Sequence, residues 1–485
     1  MSTLKEKTIR SLIWKFLEQG GSQLIALLVQ IILARMLAPE DFGVLAIILV
    51  FVNIGNIIVQ SGLNTSLVQS PKISKKDFST VFWLCFTVSV ILYIIIFFLA
   101  PTVANFYNNQ KLISPLRVLA IILLINAFYS VQVAYVQRDL NFKTIFISSI
   151  IAMAISGALG ILAAYFDMGL WSLVIQQVSY SLFACFVLNV FLPWHPQLVF
   201  SKSDAIRHFR FGWKLLASGL LDTIYQGISD LIIGKQFSST TLGFVSQGKK
   251  YPLALGNALN GAIQPVMLAA VARVQEDKKT VKIITQRALK TSTFLIFPLM
   301  TLFAITAEPI VCIILGEQWL PAVPFLQMYC FVYALLPIHT SNLQTLNAIG
   351  RSDLFLKLEI VKKAYGFLVL FFTVFVLQNV YAIVGGYILT GIISTFVNAY
   401  PSKKAIGYPY LEQIKDICPL IAITLISALV TIPISFFYLP YIIILILQSV
   451  IMLSSYLLFA KIFRIEELEY LLATLKELRK NHSNS

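Results

Sequence analysis

Of 485 residues, 58% are hydrophobic and 12% charged, with a mean hydropathy of +0.82. Soluble domains carry charge on about a quarter of their residues, so this composition excludes one and points to an all-α polytopic membrane protein. Apolar stretches of about 20 residues recur from end to end, with gaps too short to hold a catalytic head. The net charge of +15 then reads as membrane topology plus attraction to anionic lipid, with no need for nucleic acid.

Taken from the N-terminus, the first apolar run follows Lys5, Lys7 and Arg10, as in a signal peptide. Lys15, Glu18 and Gly20-Gly21 interrupt it and no small-x-small cleavage pattern follows, so it is expected to be retained as the first span. Spans are predicted over residues 9–35, 42–63, 78–100, 114–137, 144–166 and 170–193, and again over 211–234, 242–268, 290–315, 321–346, 355–378 and 380–400. A last pair, 415–437 and 440–462, brings the expected total to about fourteen transmembrane helices. Beyond them Ile465, Leu468, Leu471, Leu472, Leu475 and Leu478 recur at helical spacing, which predicts an amphipathic helix on the cytoplasmic membrane surface or, alternatively, a partner-binding helix.

Landmarks of the first half return in the second. Arg35 and Gly43 reappear as Lys235 and Gly243, and Arg138-Asp139-Leu140 with Lys143 as Arg351, Asp353-Leu354 and Lys357. Six spans per copy is an even number, so both copies enter the membrane with the same polarity as a parallel internal repeat. The expected organisation is an N-lobe over 1–200, a C-lobe over 201–408, extra spans over 409–462 and a cytoplasmic tail over 463–485. On this layout 31 of the 37 basic residues fall on the cytoplasmic side, the exceptions being Arg35, Lys111, Arg117, Lys235, Lys249 and Lys250, so both termini are expected there.

Enzyme motifs are missing: there is no His/Cys metal spacing, phosphate-cradling glycine loop or nucleophile elbow, and catalysis, cofactor and metal are not expected. The five cysteines sit in or beside apolar segments without CxxC spacing, as small core residues do. Ionisable groups inside spans are the better lead, because they are costly unless they face a cavity or a partner. Lys249 and Lys250 lie near the outer end of span 8, where they either snorkel to the surface or form an anion clamp in a cleft. Asp222 and Asp230 in span 7 suit an ion pair with Lys214 or a neighbouring helix, or cation coupling; Glu18 suits coupling or an interfacial place. Arg35 and Lys235 match in the repeat, as residues of an outer mouth or as helix-end anchors. Amides such as Asn53 and Asn257 serve either helix contacts or a sugar headgroup.

Local wording adds a resemblance. Leu37-Ala38-Pro39-Glu40-Asp41-Phe42-Gly43, Leu242-Gly243-Phe244, Gln264-Pro265 followed by Ala272-Arg273-Val274-Gln275, Gly316-Glu317-Gln318-Trp319 and Ala348-Ile349-Gly350-Arg351 resemble a family of bacterial polysaccharide exporters. These are the Wzx-type flippases, colanic-acid-exporter-like, of the multidrug/oligosaccharidyl-lipid/polysaccharide exporter superfamily; Phe244 departs from the tyrosine of many relatives. The resemblance spans about the first 400 residues. It implies a two-lobed flippase of the bacterial inner membrane carrying undecaprenyl-pyrophosphate-linked oligosaccharide for O-antigen, capsule or exopolysaccharide, with polymerase or chain-length proteins as partners. The alternatives are a multidrug-type small-molecule exporter and a non-transporting scaffold of a polysaccharide synthesis complex.

Overall fold

The computed structural model describes residues 21–60, 62–70, 73–139, 141–192 and 194–473. Helices fill them, with no strand among the described residues. Among the described residues, twelve helices are long and apolar enough to cross a membrane. They account for twelve of the fourteen predicted spans. The other two differ for separate reasons: of span 1 only Gly21–Met36 is described as a short apolar helix, α1, and span 7 is a long helix too rich in charge to qualify.

Contact clustering divides the chain into two compact units, Met1–Ser246 and Gln247–Ser485. The division falls later than the lobe boundary expected near residue 200, because the helix of span 7 packs within the first unit.

In the first unit, α1 is followed by α2 (Pro39–Gln60), α3 (Leu63–Gln69), α4 (Lys75–Tyr107), α5 (Ile113–Leu119), α6 (Ile121–Arg138), α7 (Phe142–Tyr165), α8 (Leu170–Phe191) and α9 (Lys202–Gln236). A capping box starts α4: Asp77 accepts from both the backbone N–H and the hydroxyl of Ser74. Helices α7 and α8 pair closely where Gly160 meets Gln176, a small-residue contact of the kind that replaces hydrophobic association inside lipid.

The axis of this unit is the crossing of α2 and α9. Gly212, Gly219, Gly227 and Gly234 lie seven or eight residues apart on one face of α9, against Gly62, Ile57, Val50 and Ile47 in turn. The partners descend as the glycines ascend, so the two helices run antiparallel. Gly62 leads into α3 in a left-handed conformation, φ 66°, and lies against the Gly212 carbonyl, where a side chain would find no room.

The next helix, α10 (Ser239–Ala272), begins within the first unit. Its first turn meets the first turn of α2 backbone to backbone. A Cβ on Gly43 would strike the Ser239 carbonyl, and one on Gly243 the Pro39 carbonyl. The two glycines named by the repeat therefore face each other reciprocally.

The second unit holds the rest of α10, then α11 (Lys278–Ile305), α12 (Ala307–Ile314), α13 (Val323–Ala334), α14 (Leu336–Ala348), α15 (Ser352–Phe372), α16 (Val380–Ala399), α17 (Ser402–Ile406), α18 (Tyr410–Thr431) and α19 (Tyr441–Ile462). The last pair packs on α11. A buried polar knot joins α14, α17 and α18: Gln413 and Ser402 both donate to the Asn342 carbonyl oxygen, at 3.0 and 2.8 Å. Lys282 of α11 reaches Glu412 at 2.7 Å.

After a turn at Phe463–Arg464 a further helix, α20, covers 466–473. Ile465, Leu468 and Leu471 pack on Phe294, Leu420, Ile423 and Tyr456, so this part of the tail rests on the unit's own core, while Leu472 is exposed. Lys290 is bracketed by Glu466 and Glu467 at 3.0 and 2.9 Å, and Arg287 lies 4.0 Å over the Tyr470 ring. Leu475 and Leu478 lie outside the described residues.

Candidate functional site

In the first unit the candidate surface is built by α9. Ser201 caps its start by accepting from the Asp204 N–H, so the helix begins nine residues before the predicted span and takes in His208. That histidine is fully buried. Its Nδ1 is 2.7 Å from the Ser66 hydroxyl and its Nε2 3.2 Å from the Asp77 carboxylate, which also accepts from Arg207. Four donors surround Asp77, and the network ties α3, α4 and α9 into one piece. Ser66 is itself buried and faces Nδ1 of the ring, while the acid faces Nε2. This is a tether, without the exposed nucleophile that the same three residue types offer in hydrolases.

Polar residues follow one another every fourth position along α9, in a row that winds from the side opposite Gly212 towards the glycine face. Arg210, Lys214, Ser218, Asp222 and Gln226 are exposed, and Asp230 is half-buried. A rise of 1.5 Å per residue spreads the first five over about 24 Å. Their depth follows from the helix they run beside: Gly212 meets Gly62 at the end of α2, whereas Gly219 and Gly227 meet Ile57 and Val50 within its apolar stretch. Asp222 and Gln226, joined by a 2.6 Å hydrogen bond, therefore sit level with hydrocarbon-spanning residues, where exposed polar groups require water or a polar ligand.

The predicted outer-mouth residues are placed differently from one another. Lys235 donates to the Phe106 carbonyl and lies 4.7 Å over the Phe106 ring, which makes it an anchor between α9 and α4. Arg35 and Asn53 are exposed. Asn56, one turn on from Asn53, accepts from Asn126 at 2.9 Å. Lys111, expected in the same outer group, pairs with Glu40 at 3.4 Å on the surface. Glu18 lies outside the described residues.

In the second unit the candidate surface is on α10. Lys249 and Lys250 are both half-buried, and neither has a hydrogen bond or ion pair among the described residues. Gly248 between them and Gln247 packs against the backbone of Leu326 and Ala322, so the helix is pressed onto the start of α13. Gln247 is buried with its side-chain oxygen unpartnered, and so is the Tyr251 hydroxyl one turn later. Unmatched polar atoms of this kind are rare in folded proteins and mark places where water or a ligand belongs. Aromatic side chains accompany them in this unit: Tyr329 stacks on Tyr333 and lies 6.4 Å from Tyr387, and Phe325 stacks on Tyr381. Asn257 is exposed two turns further on, and Asn260 accepts from Thr340.

The spacing of polar residues along span 7 was legible as a four-residue repeat, but Arg210 falls before its predicted start, and Lys214, Ser218 and Gln226 were not singled out as a set. Gln247 and Tyr251 carried no signal in a linear reading, since only packing leaves their oxygens without partners. Among the described residues, no group of three or more His, Cys, Asp or Glu side chains could hold a metal ion.

A family model described as polysaccharide biosynthesis protein matches residues 32–324. The lipopolysaccharide biosynthesis protein WzxC of Escherichia coli (strain K12) is 23% identical over 85% of this chain and 84% of its own length. The succinoglycan biosynthesis transport protein ExoT of Rhizobium meliloti (strain 1021) is 22% identical over 72% of this chain and 71% of its own. Among solved structures, the lipid II flippase MurJ in an inward closed conformation superposes with a TM-score of 0.75, at 15% identity, over 94% of this chain and 98% of that one. That likeness shows a shared fold.

Proposed function

Because this chain belongs to the polysaccharide biosynthesis protein family, we propose that it is a flippase for polyprenyl-pyrophosphate-linked oligosaccharide. In this reading it acts in the bacterial cytoplasmic membrane, with both termini in the cytoplasm, and supplies repeat units for a surface polysaccharide. The names of ExoT, a transport protein, and of MurJ, a flippase, support transport as the activity, and that of WzxC supports polysaccharide biosynthesis as its setting. The observation that carries the reading is the pair of unpartnered lysines, Lys249 and Lys250, in a helix that is long and apolar enough to span a membrane.

An unpaired pyrophosphate cannot cross hydrocarbon at a useful rate, since burying an isolated charge costs several kcal/mol or more. Lysine ammonium groups held without a protein partner offer that charge a counter-ion, and as point charges on flexible stems they suit a phosphate that must later leave. Gln247 and Tyr251 lie within a turn of them and supply hydrogen-bonding oxygens. The sugar then rests on hydrogen-bonding and aromatic side chains while the prenyl chain stays in lipid.

Carrying about two negative charges outward is favoured by roughly 4–5 kcal/mol at 100 mV. Asp222 and Asp230 are the groups we assign to cation binding as the empty carrier resets, because a cation there neutralises carboxylates at hydrocarbon depth. The docked tail favours transport over a scaffold role, as Ile465, Leu468 and Leu471 are covered by their own core.

The test is to replace Lys249 and Lys250 by Gln, singly and together, at matched protein levels. Accumulation of lipid-linked oligosaccharide on the cytoplasmic leaflet is the expected outcome, largest in the double variant. Wild-type export in all three would sink the clamp.

A further inference from the structure

We propose that Arg210 and Lys214 on α9 form the cytoplasmic loading site for the carrier lipid, where its pyrophosphate first docks before moving along the helix. This rests on the flippase reading and adds a site to it. Both side chains are exposed, and neither makes a hydrogen bond or ion pair among the described residues. Their neighbour Arg207 is different, being held by Asp77 and Asp204.

Four residues apart on a helix, the two cations point the same way with about 6 Å between their Cβ atoms, a spacing that lets both reach one diphosphate. They sit on the side of α9 opposite Gly212, whose contact with Gly62 puts them level with the break between α2 and α3. Around them Phe209, Phe211 and Trp213 are exposed, offering apolar surface for an isoprenoid chain entering from the bilayer.

An ordinary anionic phospholipid would be served by the cations and aromatics alone. What favours the carrier is the continuation of the row. Ser218, Asp222 and Gln226 extend it from the level of the break between α2 and α3 into hydrocarbon depth, exposed all the way. A phospholipid that stays at the interface has no use for such groups, whereas a headgroup bearing sugar hydroxyls needs hydrogen-bond partners along its route.

The experiment uses the full chain in phosphatidylcholine nanodiscs and measures retention of undecaprenyl pyrophosphate, with phosphatidylglycerol as the comparison lipid. The double variant R210Q/K214Q should retain the pyrophosphate lipid about tenfold or more weakly, the loss of charge-assisted hydrogen bonds to an anion. R210K/K214R should keep most of the binding, and phosphatidylglycerol retention should not change. Both residues are exposed and unpartnered, so an unchanged melting curve will certify folding. Equal retention by wild type and R210Q/K214Q would overturn the loading site while leaving the flippase reading intact. An equal loss for both lipids would make the pair a general lipid anchor and also overturn it. If wild type itself retains no pyrophosphate lipid, the flippase reading falls together with the site.

Discussion

Gly43 and Gly243 show how much a single hydrogen atom can decide. Each takes the place where a Cβ would enter a backbone carbonyl of the other helix, so relief requires moving a helix and not a side chain. Alanine at either position should cost about 1–3 kcal/mol through overpacking, seen as a lower unfolding midpoint of the purified protein. Alanine at Gly261, around which the structure leaves open space, is the control and should melt as wild type. Asp77 illustrates the opposite case, a charge kept in place by its donors. Asp77→Ala strips the acceptor from Arg207 and His208 and opens the start of α4, with an expected loss of about 1–3 kcal/mol; Asp77→Glu should recover little, because the capping geometry needs the shorter side chain. Thermal unfolding of the two variants checks both statements.

Helices carry the next level of explanation. In α9, glycines on one face and polar residues on another let the same segment pack tightly on α2 and present hydrogen-bonding groups outward. In α20, apolar contacts and ion pairs cooperate. The Lys290 ammonium beside Glu466 holds that carboxylate below its ordinary pKa. Depression of a folded-state pKa means that the contribution is fully present above the ordinary glutamate value and is lost as pH falls through the lowered one. Docking of α20 should therefore weaken in acid, below about pH 4. Amide exchange across 466–473 should quicken there, and Glu466→Gln should remove that part of the pH dependence. Substituting Leu468 and Leu471 together by Ala should free the helix at neutral pH as well, since two half-buried leucine side chains that pack on the core are lost.

At the scale of the molecule, a carrier that moves net negative charge outward answers to the membrane potential. Under the proposed cycle, export should slow when the potential is collapsed with a potassium ionophore and recover when it is restored, in vesicles carrying the full chain and a polyprenyl-pyrophosphate saccharide. A rate indifferent to the potential would remove electrophoresis from the mechanism.

Much of this organisation was legible in the amino-acid order. Hydropathy located twelve helices that meet the length and composition of a membrane span, because twenty apolar residues in a row have few alternatives in water. The echo of Arg35 and Gly43 in Lys235 and Gly243 pointed to a repeat, and the two glycines it picked out meet in space at a backbone contact that only a missing Cβ allows. Span 7 was predicted over 211–234 and a helix stands there, Lys202–Gln236, but Arg210, Lys214, Asp222 and Asp230 make it more polar than the twelve apolar spans.

Composition and periodicity by themselves determined that the chain belongs in a membrane and roughly where its helices lie, because lipid imposes those properties on each segment separately. Only the tertiary structure decided which polar groups are engaged and which stand free. Lys235 became an anchor, Lys249 and Lys250 were left without partners among the described residues, His208 was buried in a tether, and part of the tail turned onto its own core. Those outcomes depend on what the neighbouring helix presents at each face, and contacts between distant segments leave no periodic trace in either one.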